Sequence, residues 1–78
     1  MDKKMITRVL SDKPWMTAPE IFNELKARIE TRDDKRLIKA AFPDEDQSIR
    51  VLLAKMRKDG FVRSRERAKT VLLEWSIV

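Results

Sequence analysis

The chain has no cysteine, no histidine and no tyrosine, and each absence removes a class of chemistry. Without cysteine there is neither a disulfide framework nor a thiolate metal site. Without histidine the usual zinc and haem ligands and the commonest general base are gone. A single glycine in 78 residues leaves no glycine-rich phosphate loop. No apolar stretch approaches the roughly 20 residues of a membrane span, and the opening MDKKMITRVL lacks the uninterrupted apolar region of a signal peptide. Lys and carboxylate side chains are plentiful, but nothing in their spacing groups them into a catalytic site. The expectation is a cytoplasmic binding protein, not an enzyme, with no cofactor and no membrane contact.

What is present is charge, unevenly placed. Between Gln47 and Thr70 stand eight basic side chains (Arg50, Lys55, Arg57, Lys58, Arg63, Arg65, Arg67, Lys69) against two acidic ones, Asp59 and Glu66. Residues 1–46 carry ten of each sign and cancel, so the surplus behind the net charge of +5 lies in the last third. A localised cationic surplus is the footprint of a polyanion-binding surface, because each Lys or Arg near a phosphate releases condensed counterions. With 42% hydrophobic residues and 40% charged ones, the chain supports a single domain over residues 1–78 with one small core.

The order of elements follows from periodicity and caps. Met5, Ile6, Val9 and Leu10 predict a helix over about 3–10, broken by Ser11-Asp12-Lys13-Pro14. Trp15 and Met16 read as a short extended link. Thr17, Pro19 and Glu20 form a capping box with proline in the first turn, opening a second helix that buries Ile21, Phe22, Leu25 and Ile29 and runs to about Glu30. Residues 31–46 are a charged connection holding Leu37, Ile38, Ala41 and Phe42 at helical spacing before Pro43, read as a short extra helix or an irregular excursion. The third main helix places Ile49, Leu52, Leu53 and Met56 inward and stops at Gly60. Phe61 and Val62 begin a strand, SRERAKT is a loose loop, and the alternation of Val71, Leu73, Trp75 and Ile77 marks a second strand.

This arrangement resembles the winged helix-turn-helix family. PWMTAPEIFNEL, SIRVLLAKMRKDGFVRS and VLLEWSI carry the resemblance, with LLAKMRKDGFV most like the end of a recognition helix entering a wing. It implies an α+β, mainly α fold: a three-helix core, a C-terminal β-hairpin wing, and here an extended connection between helices 2 and 3. It also implies a double-stranded DNA-binding transcriptional regulator of bacterial, plasmid or phage type, with the third helix in the major groove and the wing on flanking backbone or minor groove.

Winding the third helix at about 100° per residue turns Gln47, Ala54 and Lys58 outward, flanked by Arg50, Val51 and Lys55. The candidate DNA-binding set on this helix is Gln47, Ser48, Arg50, Val51, Ala54, Lys55, Arg57 and Lys58. Arg50 and Gln47 suit base edges, or belong to a solvated face. Val51 and Ala54 suit thymine methyls, or Val51 packs against Leu37 or Phe42. Arg57 and Lys58 serve phosphates, or act as cations at a helix C-terminus. On the wing, Arg63, Arg65, Arg67 and Lys69 are expected to meet phosphate or the minor groove. Trp15 and Trp75 read as packing residues rather than base-stacking platforms, and Asp44-Glu45-Asp46 as helix-start residues rather than a metal site.

The connection is also expected to bring Asp33, Asp34, Asp44, Glu45 and Asp46 close to the start of the third helix. That supports a second expectation, an interaction module of the same fold that binds a protein partner through residues 31–46 and the third helix. Either a monomer or a homodimer fits, since the apolar ends of the first helix and last strand complete the core or pair across a two-fold axis.

Overall fold

The computed structural model describes residues 2–67 and 72–78, and in them the chain forms four helices and one antiparallel hairpin. The elements are α1 (Asp2–Asp12), α2 (Ala18–Ala27), α3 (Arg32–Ala41), α4 (Asp46–Lys58), β1 (Val62–Glu66) and β2 (Leu73–Ile77). Among the described residues no helix is long and apolar enough to cross a membrane.

The local signals act as their chemistry requires. At α2 the Thr17 hydroxyl accepts from the Glu20 N–H at 3.3 Å, and the Glu20 carboxylate accepts from the Thr17 N–H at 2.9 Å. At the end of α4, Gly60 adopts φ +86°, the left-handed conformation that spares a side chain a clash. The Phe61 N–H then reaches the Met56 carbonyl at 2.9 Å and the Gly60 N–H that of Arg57 at 3.1 Å, a Schellman stop that aims the chain into β1.

Of the two alternatives for the connection between α2 and α4, the extra helix is the one that forms: α3 has ten residues, as many as α2, so the core holds four helices and not three. Thr31 caps it, its hydroxyl accepting from the Asp34 N–H at 3.1 Å, while the Asp34 carboxylate accepts from the Glu30 N–H at 3.2 Å. Ile38 and Phe42 are buried in the common core. Consequently Asp33 and Asp34 sit in the first turn of α3, about 10–12 Å along the helix from the end that leads into α4. Of the five carboxylates expected beside α4, only Asp44, Glu45 and Asp46 adjoin its start.

One core unites the elements. Ile6, Val9 and Leu10 of α1 meet Ala18, Ile21 and Leu25 of α2, Ile49, Leu53 and Met56 of α4, and Val62 and Trp75 of the hairpin. Each fully buried aliphatic side chain contributes about 1.5–3 kcal/mol relative to exposure, which a domain this small requires.

The first strand of the hairpin runs further than the sequence predicts. Val62 pairs with Ile77, Arg63 with Ser76, Ser64 with Trp75, Arg65 with Glu74 and Glu66 with Leu73. Ser64, Arg65 and Glu66, expected in the loop, are therefore strand residues. The other edge of β2 is taken by Met16, whose N–H and carbonyl both bond to Trp75 at 3.0 and 2.8 Å. That bridge ties the α1–α2 turn to the hairpin. It also leaves Trp15 with φ +64°, a left-handed conformation that costs a bulky residue about 1–3 kcal/mol.

Candidate nucleic-acid interface

Burial of Ile49, Leu53 and Met56 fixes the roll of α4, and the opposite face is open. Gln47, Arg50, Val51, Ala54, Lys55, Arg57 and Lys58 are all exposed, with Ser48 half-buried. Val51 is 64% exposed, which leaves its methyls for a ligand. The Ser48 hydroxyl is occupied: it accepts from the Asp44 N–H at 2.9 Å and braces the turn before α4.

The cations divide by what faces them. Arg50 pairs with Asp46 one turn earlier at 3.1 Å. Arg57 donates to the Ser64 hydroxyl at 2.9 Å and lies over the buried Trp75 ring at 5.4 Å, so it joins α4 to the hairpin. Lys55 and Lys58 have no ion pair among the described residues. On β1, Arg63 and Arg65 point to one side, as strand alternation requires, and both stack on Trp15, at 5.1 and 4.0 Å from the ring centroid. Contacts of this kind contribute about 0.5–1 kcal/mol each when partly exposed. Arg65 also pairs with Glu74 at 3.1 Å. Arg67 bridges Glu74 and, across to α2, Glu20. Lys69 lies outside the described residues.

Three side chains of this site escaped the sequence reading. Trp15 is no cover for the bundle but the ring on which two arginines of β1 rest. Glu74 and Glu20 neutralise part of the cationic hairpin. A cross-strand alignment placing Arg65 opposite Glu74 would have found the first carboxylate. Glu20, committed to its cap, carries no sequence signal for a partner 47 positions away.

The carboxylates are held ionised. The Thr17 backbone N–H is the main reason the Glu20 carboxyl lies below its ordinary value of 4.5, helped, against the effect of burial, by the Thr17 hydroxyl and Arg67. Burial alone would raise Glu74, but hydrogen bonds from Arg65 and Arg67 and their charges outweigh it and hold that carboxyl low as well. Away from the site, Lys13 and then Arg28 lower Glu24. Depressed folded-state values mean that the unfolded chain takes up protons first as pH falls. Their stabilisation is complete above about pH 4.5 and lost below it. The thermal midpoint is expected to drop between about pH 5 and pH 3, with Glu74→Gln showing a shallower drop. An unchanged pH profile in that variant would mean the Glu74 pairs contribute nothing.

Between the start of α2 (Thr17, Pro19), the outer face of α4 (Arg50, Ala54, Arg57) and β2 (Leu73) runs an open groove of about 400 Å³. Among the described residues no group of three or more acidic side chains is placed to hold a metal ion. The exposed α4 face, this groove and the arginine face of the hairpin are the cationic surfaces of this site. No protein-family model, no curated protein and no solved structure matches the chain.

Proposed function

We propose that the chain is a double-stranded DNA-binding transcriptional regulator of the winged helix-turn-helix type, with α4 in the major groove and the β1–β2 hairpin as a wing on the backbone or minor groove. The observation that carries this reading is the outer face of α4, exposed from Gln47 to Lys58 and holding Lys55 and Lys58, which have no ion pair among the described residues. A helix of this kind fits a major groove about 12 Å wide. Arg63, exposed on β1 and turned toward Trp15, adds positive charge on the hairpin.

The Arg50–Asp46 pair does not stand against a base contact. An exposed i,i+4 pair contributes about 0.3–0.5 kcal/mol, whereas a bidentate Arg–guanine contact supplies about 1–3 kcal/mol of discrimination, so exchange favours DNA. Arg50→Ala is expected to relax preference at one base pair by about 10- to 100-fold while lowering random-duplex affinity far less. Selection from a random duplex pool, followed by affinities for single-base variants of the selected site, checks this. Equal loss on every sequence would make Arg50 a phosphate contact.

A protein partner at residues 31–46 is the second reading, favoured by Leu37, a large apolar side chain left 42% exposed on α3. Absence of duplex binding at the lowest salt would move the balance to it.

A further inference from the structure

The best-defined cationic feature outside α4 is the stack of Arg63 and Arg65 on Trp15. Three observations meet there. Both guanidinium groups lie within 5.1 Å of the centroid of one indole ring. The backbone of Trp15 is held at φ +64°, where a bulky residue is disfavoured. And Met16, its neighbour, is joined to Trp75 of β2 by two backbone hydrogen bonds, which hold the Trp15 backbone beside the hairpin. The two cation–π contacts, about 0.5–1 kcal/mol each, offset the cost of a turn that would be easier to form with glycine or asparagine at this position.

The geometry points to Trp15 as a positioning residue that holds Arg63 and Arg65 as a paired clamp for consecutive phosphates of one DNA strand. Alternate residues of a strand lie on one face with Cα atoms about 6.8 Å apart, so the two guanidinium groups are offered side by side to one backbone. A stacked guanidinium keeps fewer rotamers free, so less freedom is lost when it meets an anion. Arg65 gives its Nε–H to Glu74 at 3.1 Å. Its terminal nitrogens, like the Arg63 guanidinium, have no other hydrogen bond among the described residues. The indole thus links the α1–α2 turn to the wing and sets where the wing grips. This inference rests on the DNA-binding reading, but it concerns the clamp alone.

The test is a mutant cycle on random-sequence duplex over a salt series. Trp15→Gly removes the ring and relieves the left-handed backbone; Trp15→Asn, which also tolerates that conformation, serves if the glycine variant fails to fold. Trp15→Phe keeps a ring for the cations. We expect Trp15→Gly to melt near wild type, to bind about eightfold more weakly near 0.1 M salt and to show a salt slope shallower by about one phosphate. Trp15→Phe is expected to recover most of that loss. In an Arg63→Ala/Arg65→Ala background, Trp15→Gly is expected to cost nothing further, because the groups it positions are gone. An undiminished salt slope in Trp15→Gly, or the same loss with and without the two arginines, overturns the clamp while wild-type binding stands. Failure of the wild type to bind at any salt overturns the clamp together with the DNA-binding reading.

Discussion

Replacing Lys55, Lys58 and Arg63 together with alanine is expected to lower affinity for random-sequence duplex DNA by about 500-fold near 0.1 M salt. These three are exposed cations without a carboxylate partner among the described residues, two on α4 and one on β1. A slope of about −0.9 per phosphate makes each contact worth roughly eightfold at that salt relative to 1 M, and three contacts multiply. The salt slope should become shallower by about 2.7. Lys4, Lys35 and Lys39 provide the control, since replacing them removes the same charge from α1 and α3, away from the α4 face. That control is expected to change affinity several-fold at most. Equal losses in the two triple variants would mean that net charge, not this face, binds the polyanion. Arg65 and Arg67 are expected to matter less than Arg63, because Glu74 and Glu20 already share their charge.

Phe42→Ala is expected to be the most damaging change in the connection between α2 and α4, costing about 3–5 kcal/mol. Phe42 is 2% exposed and follows α3 directly, so truncating it leaves a void between α3 and the rest of the core. Small domains have stabilities near the lower end of about 5–15 kcal/mol, so this variant is expected to be largely unfolded at 37 °C. Leu37→Ala, one residue from the buried Ile38 but exposed itself, should shift stability by no more than about 0.5 kcal/mol. Urea denaturation followed by circular dichroism measures both. A Phe42→Ala chain as stable as wild type would show that α3 is an appendage and not part of the core. Deleting residues 33–42 is for the same reason no clean test of a protein partner, since it removes Ile38 and Phe42 from the core.

The parts of the fold that the sequence made legible are those with two agreeing local signals. α2 has a capping box and an apolar stripe, and α4 has a stripe and a glycine stop, so both were placed within a few residues. α3 had a signal too: Thr31 and Asp34 repeat the spacing of Thr17 and Glu20. The run TRDDKR, which resembles a solvated loop, left the irregular alternative open, although Leu37, Ile38, Ala41 and Phe42 repeat the spacing of Met5, Ile6, Val9 and Leu10 in α1.

For the site, the outward face of α4 followed from helical geometry alone. The state of each cation did not. Whether an arginine faces solvent or a carboxylate depends on strand register and on contacts such as Arg67 with Glu20, which periodicity does not encode. Trp15 was beyond reach for a different reason. A left-handed tryptophan has no local preference to announce it, and only the Met16–Trp75 bridge and the arginine stack account for it.

The central claim, that the last third of the chain forms a surface for double-stranded DNA, is tested most directly by fluorescence anisotropy of a labelled random-sequence duplex between about 50 and 200 mM salt. The account predicts micromolar binding at the low end, with log affinity falling linearly and steeply against log salt. No binding at the lowest salt, or binding indifferent to salt, would contradict it.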